Sequence, residues 1–104
     1  MSGRLTAAQA RQRMRELVVD SANLVWTDHI ELRMAERGID SNAVLQILRT
    51  GDVDDEPEES LESPGDWKSK VTRKMPTGRV AGVVVAITRL EELVLNTAER
   101  EDLS

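Results

Sequence analysis

The sequence predicts an α+β domain in which N-terminal helices pack on a three- to four-stranded antiparallel sheet. Two observations predict this class. Apolar residues of the first half recur every three or four positions, whereas from Trp67 onward polar and apolar residues alternate. Helices that precede a run of strands, rather than alternating with them, are typical of an α+β fold. A chain of 104 residues can form one core, so we expect residues 1–104 to be a single domain.

The first helix is predicted over about 6–20, within an N-terminal extension of residues 1–23. Thr6 and Gln9 have the spacing of a capping box, in which each side chain accepts a hydrogen bond from the other residue's backbone. Five apolar residues then recur at roughly helical spacing. They are Ala10, Met14, Leu17, Val18 and Val25.

The second helix is predicted over 27–37. Thr27 and Asp28 are both favourable N-caps, because their side chains can accept from the unpaired amides of the first turn. Gly38 suits the left-handed conformation that ends many helices, and Ile39 would follow it in contact with Met34.

The third helix is predicted over 41–50, beginning after Asp40 or Ser41 and ending at Gly51. Its inward face is apolar at helical spacing. That face consists of Val44, Leu45, Ile47 and Leu48.

The acidic segment 52–66 is predicted to be a loop, apart from a short strand near Val53, because Pro57, Pro64 and Gly65 interrupt it. It contains eight acidic residues and no basic one. They are Asp52, Asp54, Asp55, Glu56, Glu58, Glu59, Glu62 and Asp66. Some of these carboxylates could bind a divalent ion, but they lack defined ligand spacing, and a solvated loop is the better interpretation.

Strands are predicted over 67–75, 79–88 and 92–98, with a hairpin turn at 76–78 in which Gly78 takes a positive φ. The first strand alternates, so that one set of side chains faces each side of the sheet. Trp67, Ser69, Val71, Arg73 and Met75 form one set, and Lys68, Lys70, Thr72 and Lys74 form the other. The second strand is apolar on both alternations, which is typical of a central strand.

Composition excludes several kinds of site. The chain has no cysteine and one histidine, which excludes disulfides, thiol catalysis and zinc sites built from thiolates or several histidines. It has no apolar run near the roughly 18 residues of a membrane span, and its N-terminus lacks an apolar signal region. We therefore expect a cytoplasmic protein of bacterial type with no membrane partner, no bound metal and no cofactor.

The formal net charge of −5 conceals a marked asymmetry along the chain. Outside the acidic segment, fourteen basic residues stand against eleven acidic ones. Residues 67–89 contain six basic residues and no acidic one. This basic block could bind nucleic acid and be masked by the acidic segment, or both could be ordinary solvated surface.

The most informative part of the sequence is the segment 26–39, which holds the only histidine. His29, Arg33 and Arg37 are spaced four residues apart and would form one stripe on the second helix. Neither arginine has a carboxylate four residues away, so we expect the stripe to bind an anion from elsewhere. The candidates are a phosphate, the acidic face of a partner and the acidic segment.

Several of these motifs together resemble a known family. They are the Trp-x-x-His and Arg-Met-x-x-Arg-Gly-Ile runs of 26–39, the helix ending in Gly51-Asp52, Trp67, and Gly78-Arg79 before a Val-Val-Val strand. They are similar to the small bacterial domain of unknown function 4258, over about residues 24–100. In size and element order that family resembles the RelE and BrnT type toxins, which are mRNA endonucleases of toxin–antitoxin systems.

The resemblance implies a toxin-like domain of RelE-like architecture that binds RNA and is a candidate metal-independent ribonuclease. Its partners would be RNA or the ribosome and an antitoxin-like protein. His29 would act as general acid or base. The substrate would be bound by Arg33, Arg37, Lys68, Lys70 and Arg79. We expect these groups to meet in a cleft between the second helix and the strands flanking Gly78.

Each candidate residue also has a purely structural interpretation. His29 could pack on Trp26, the two arginines could pair with acidic residues, and the lysines could protect an edge strand. Trp67 could stack on a base, although core filling is the better interpretation. The alternative function is a non-catalytic module, regulated by a partner, that binds an acidic protein segment in the same cleft.

Overall fold

Three helices pack on one face of a five-stranded sheet in the computed structural model, which describes residues 4–100. The helices α1, α2 and α3 span Ala7–Val18, Asp28–Arg37 and Ser41–Thr50. The strands β1 to β5 span Leu24–Trp26, Glu58–Glu59, Trp67–Lys74, Val80–Ile87 and Leu93–Arg100. The predicted α+β class is confirmed, although the sheet has one or two strands more than expected.

The sheet order is β1-β5-β4-β3-β2, and all neighbouring strands are antiparallel except β1 and β5. The long strands β3 and β4 form the predicted hairpin, whose turn contains Gly78 at a φ of 87°. The pairing of β4 with β5 shifts register between Val84 and Val85, and β5 runs on to Arg100. Two residues more than predicted therefore belong to the last strand.

The two edge strands were not predicted. Asp20 caps a short 3-10 turn over Ser21–Asn23, which ends the helical path before Val25. Val25 then lies in β1, paired with Val94, and not on the helical repeat to which the spacing assigned it. At the opposite edge, β2 pairs with β3, and Asp52 forms an isolated bridge with Thr72. The bridge at Asp52 lies beside the short strand expected near Val53, whereas β2 occupies part of the segment that was predicted to be a loop.

Helix α1 begins with the predicted capping box. The backbone N–H of Gln9 donates to the Thr6 hydroxyl at 3.1 Å, and that of Thr6 donates to the Gln9 side-chain carbonyl at 2.9 Å. One face of α1 is fully part of the core, because Met14 is 1% exposed and packs with the α3 and sheet residues.

Helix α2 is fixed at both ends as predicted. The Thr27 hydroxyl accepts from the backbone N–H of Ile30 at 3.2 Å and donates to the carbonyl of Leu95 at 2.7 Å. The second bond ties the start of α2 to β5. At the other end, Gly38 adopts the left-handed conformation with a φ of 65°, and its N–H donates to the carbonyl of Met34.

The core lies between the helices and the sheet. Its buried residues come from all three helices, from the odd-numbered positions of β3 and β4, such as Val71 and Val83, and from β5, such as Leu95. The even-numbered residues of these strands face the opposite side, where none of the described helices lies. Among residues 4–100, no helix is both long and apolar enough to cross a lipid bilayer.

Candidate functional site

A pocket of about 630 Å³ opens on the helix side of the sheet, between the α2–α3 junction and the β3–β4 hairpin. Its lining residues are Arg37, Gly38, Ile39, Ala43, Met75, Pro76, Thr77, Arg79, Val80, Ala81 and Arg100. Three of them are arginines, and none of these described lining residues is acidic. We call this site the arginine pocket.

Local backbone geometry places the three arginines around the pocket. Arg37 is the last residue of α2, and the left-handed turn at Gly38 redirects the chain there. Arg79 follows the hairpin turn, where its carbonyl accepts a 2.6 Å hydrogen bond from the N–H of Met75. Arg100 ends β5 opposite Ala81 in β4, two residues after the buried Ala98. Residues from three separate parts of the chain thus converge.

Arg100 carries the clearest signal for a ligand. Its Nη2 atom is buried and has no hydrogen-bond partner among the described residues. A buried donor without a partner costs free energy, and the cost is larger for a charged group. Arg100 also lines the arginine pocket, so its guanidinium is a candidate donor for an anion bound there. The sequence prediction ended the last strand at residue 98 and therefore missed Arg100. Simple alternation from Leu93 and Leu95 would have placed it on the opposite face, and the register shift between Val84 and Val85 brings it to the side of the helices.

The floor of the arginine pocket is apolar. Ile39 and Ala81 are buried, while Ala43, Met75 and Val80 are half-buried. Apolar surroundings lower the local dielectric constant, so a charge pair formed there interacts more strongly than it would in water. The pocket therefore combines cationic walls with a floor from which water is easily displaced.

The predicted stripe of His29, Arg33 and Arg37 forms on α2, but its two arginines have a carboxylate partner that was not expected. Glu36 lies 2.8 Å from the Arg33 guanidinium and 3.6 Å from that of Arg37. The prediction that these arginines lack a local carboxylate is wrong, because only positions four residues away were considered. Exposed pairs of this kind contribute about 0–1 kcal/mol, so a phosphate can compete for Arg37.

His29 lies in the first turn of α2 and is exposed, so it does not fill the core. Eight residues separate it from Arg37, which corresponds to about 12 Å along the helix axis. Neither His29 nor Arg33 belongs to the lining of the arginine pocket. Of the predicted site residues, only Arg37 and Arg79 thus line the arginine pocket.

Lys68 and Lys70 lie on the opposite face of the sheet. Because successive residues of a strand point to opposite sides, they face away from the helices. Lys68 lines a groove together with four acidic residues, Glu58, Glu59, Glu62 and Asp66. Lys70 lies 3.2 Å from Glu99 and lines a small depression with Asp54 and Asp55. The two lysines and the arginine pocket therefore cannot contact one substrate group.

The acidic segment lies along the β3 edge and not across the His29/Arg33/Arg37 stripe. Asp52 pairs with Arg11 at 3.2 Å, and Asp66 accepts a hydrogen bond from the backbone N–H of Arg89 at 2.9 Å. The acidic segment was predicted to mask the basic block 67–89. Of that block, it lies beside Lys68 and Lys70 only. Within residues 4–100, no group of three or more His, Asp or Glu side chains is placed to hold a metal ion.

The family model described as Domain of unknown function (DUF4258) matches residues 26–100. The chain belongs to this family. The DUF4258 match begins after α1 and includes every residue of the arginine pocket. No curated protein and no solved structure matches the chain. The similarity to RelE and BrnT type toxins therefore stays a prediction.

Proposed function

We propose that this DUF4258 domain is a toxin-like RNA-binding domain whose arginine pocket holds a phosphate of the RNA backbone. The observation that carries the proposal is the convergence of Arg37, Arg79 and Arg100 around one pocket that has no acidic residue among its described lining. The buried Nη2 of Arg100 has no hydrogen-bond partner within residues 4–100, and an anion is a natural partner for a guanidinium group.

Guanidinium groups suit this task because each presents several N–H donors in a planar fork that matches the oxygens of a phosphate. The net charge of −5 does not oppose binding at this site, since the densest acidic surface lies beyond the β3 edge, on the other side of the sheet. Charges farther apart than about 10 Å are largely screened at ordinary salt concentrations.

Charge reversal tests the pocket. We expect Arg79→Glu to weaken binding of a labelled oligouridylate at least about tenfold at low salt, because a charge-assisted contact becomes a repulsive one. Fluorescence polarisation measures the dissociation constant. Lys68→Glu is the matched control, since it makes the same change of charge on the opposite face and should leave the affinity unchanged. Equal weakening by both variants would show that only net charge matters and would contradict the proposal.

Cleavage is a separate part of the proposal and depends on His29. Its exposed position on the same stripe as Arg33 and Arg37 would let an RNA strand that leaves the pocket along α2 pass the imidazole. A general base has to come within about 3 Å of its proton and contributes typically 10²–10⁴-fold to the rate. In the same samples, His29→Ala should remove RNA cleavage and leave the polarisation signal unchanged.

The apolar floor favours one second candidate, an acidic protein segment that places an apolar side chain on Met75 and Val80 while its carboxylate meets the arginines. Two measurements distinguish the RNA ligand from the protein ligand, namely RNA binding at low salt and growth on expression. If the wild-type protein neither binds RNA at low salt nor slows growth on expression, the RNA proposal is abandoned and the protein ligand stands.

A further inference from the structure

Trp67 lies outside the hydrophobic core. It is half-buried, and it belongs neither to the buried core cluster nor to the residues packed against that cluster. A depression of about 540 Å³ lies on its α1 side, where Arg4 and Arg13 contribute to the lining. A second depression of about 220 Å³ includes Arg89. Trp67, Leu5 and Arg13 line both, so the two depressions adjoin at these side chains, and we call them together the Trp67 groove.

Trp67 and Arg89 are held in place by their surroundings. Trp67 is the first residue of β3 and pairs with Ile87 in β4, two residues before Arg89. The backbone N–H of Arg89 donates to Asp66. The Arg89 side chain passes close to Gly65, where an added Cβ would lie 3.4 Å from Cδ. The backbone of Arg89 is thus anchored beside the groove by a hydrogen bond that does not use its guanidinium.

Charge in the Trp67 groove is mainly positive. Arg4, Arg13 and Arg89 line it, and Glu91 is the one acidic residue among the described lining. The Arg13 guanidinium lies 3.9 Å from the Glu91 carboxylate. That distance exceeds hydrogen-bonding range, so the Arg13 donors stay available for a ligand.

An indole face flanked by guanidinium groups is the combination that binds single-stranded nucleic acid, because any base can stack on the ring while its phosphate meets the cations. The volume of the larger depression lies within the range of roughly 300–1,000 Å³ found for small-ligand pockets. We propose that the Trp67 groove binds a nucleotide unit, with the base stacked on Trp67 and the phosphate held by Arg13 and Arg89. This inference rests on the proposed RNA-binding function and adds a second contact point to it.

The Trp67 groove and the arginine pocket lie at opposite ends of β3. Eight residues of extended chain separate their ends by about 23 Å. The two sites can therefore be tested independently. The groove also includes residues of α1 and of the segment before it, which lie outside the family match.

Tryptophan fluorescence gives a direct readout. In a Trp26→Phe background, Trp67 is the only tryptophan of the chain. Three probes are titrated: an oligouridylate of about twelve nucleotides, an abasic backbone of the same length and charge, and free uridine monophosphate. The oligouridylate should quench Trp67 emission, while the abasic backbone should bind without quenching. Quenching by the free nucleotide at equal or lower concentration would identify it, rather than RNA, as the ligand.

Substitution of Trp67 gives a second test. Trp67→Leu should weaken oligouridylate binding about tenfold and leave the affinity for the abasic backbone unchanged, whereas Trp67→Phe keeps a stacking face and should restore most of the loss. Circular dichroism shows that each variant is folded. If oligouridylate leaves Trp67 emission unchanged and Trp67→Leu binds it as tightly as the wild type does, the Trp67 groove is contradicted as a binding site. The arginine pocket would still stand. If oligouridylate quenches Trp67 emission but Arg79→Glu does not weaken its binding, the arginine pocket is contradicted as a binding site and the Trp67 groove stands.

Discussion

Gly51 and Gly38 each end a helix, but for different physical reasons. Gly38 adopts a φ of 65°, and no atom lies within 4 Å of the place where a Cβ would be. Gly51 has an ordinary φ of −74°, yet a Cβ there would lie 2.5 Å from the Ile47 carbonyl oxygen and 2.7 Å from that of Thr72. Local sequence predicts the first requirement, whereas the second arises only after β3 packs against α3.

The two glycines predict a difference in stability. Gly38→Ala should lower the free energy of unfolding by about 1 kcal/mol, which is the cost of left-handed backbone for a residue with a Cβ. Gly51→Ala should lower it more, by about 2–3 kcal/mol, because backbone atoms have to move apart. Urea denaturation measures both values, with Gly78→Ala as a second left-handed site that has open space around it. A Gly51→Ala variant as stable as Gly38→Ala would show that the close approach is relieved without cost.

The contacts of individual charged residues were predicted less well than the roles of the glycines. The sequence identified Arg37 and Arg79 as ligand-binding candidates, and both line the arginine pocket. The pairing of Glu36 with Arg33 and Arg37 of the same helix was not predicted, because only carboxylates four residues away were expected to pair with these arginines. Arg100 was overlooked because the strand was ended too early. The first error concerns spacing within a helix, and the second concerns where a strand stops.

At the level of elements, the long helices and strands were predictable and the short edge strands were not. Helices α1 to α3 and strands β3 to β5 have eight or more residues each, enough for periodicity and capping signals to agree. Strand β1 has three residues and β2 has two, so neither can show an alternation. Their positions follow from pairing with β5 and β3, which is tertiary information.

Helix α1 is an integral part of the fold, although the family match begins after it. Met14→Ala should therefore lower the free energy of unfolding by about 2–5 kcal/mol, because it leaves a cavity at a site that is 1% exposed. Val19→Ala, one residue beyond the helix and 83% exposed, is the matched control and should change it by less than about 0.5 kcal/mol. Thermal or urea unfolding measures both. If Met14→Ala proves as stable as Val19→Ala, the packing of α1 on α3 would have to be revised.

Across the whole molecule, the fold separates charges that the sequence places side by side. The basic block 67–89 is divided by strand alternation, so that Lys68 and Lys70 face the acidic segment while Arg79 faces the helices. The expected single cleft therefore becomes an arginine pocket on one side and an acid-lined groove on the other. Sequence alone could predict the alternation, but not which face the helices cover.

The most direct test of the arginine pocket is a map of amide chemical-shift changes as oligouridylate is added to the ¹⁵N-labelled protein at low salt. Binding in the arginine pocket predicts the largest changes in residues 37–43 and 75–81 and at Arg100, and these changes should be lost in the Arg79→Glu variant. Changes confined to the acid-lined groove of residues 58–63 and Lys68, with the pocket signals unmoved, would contradict it.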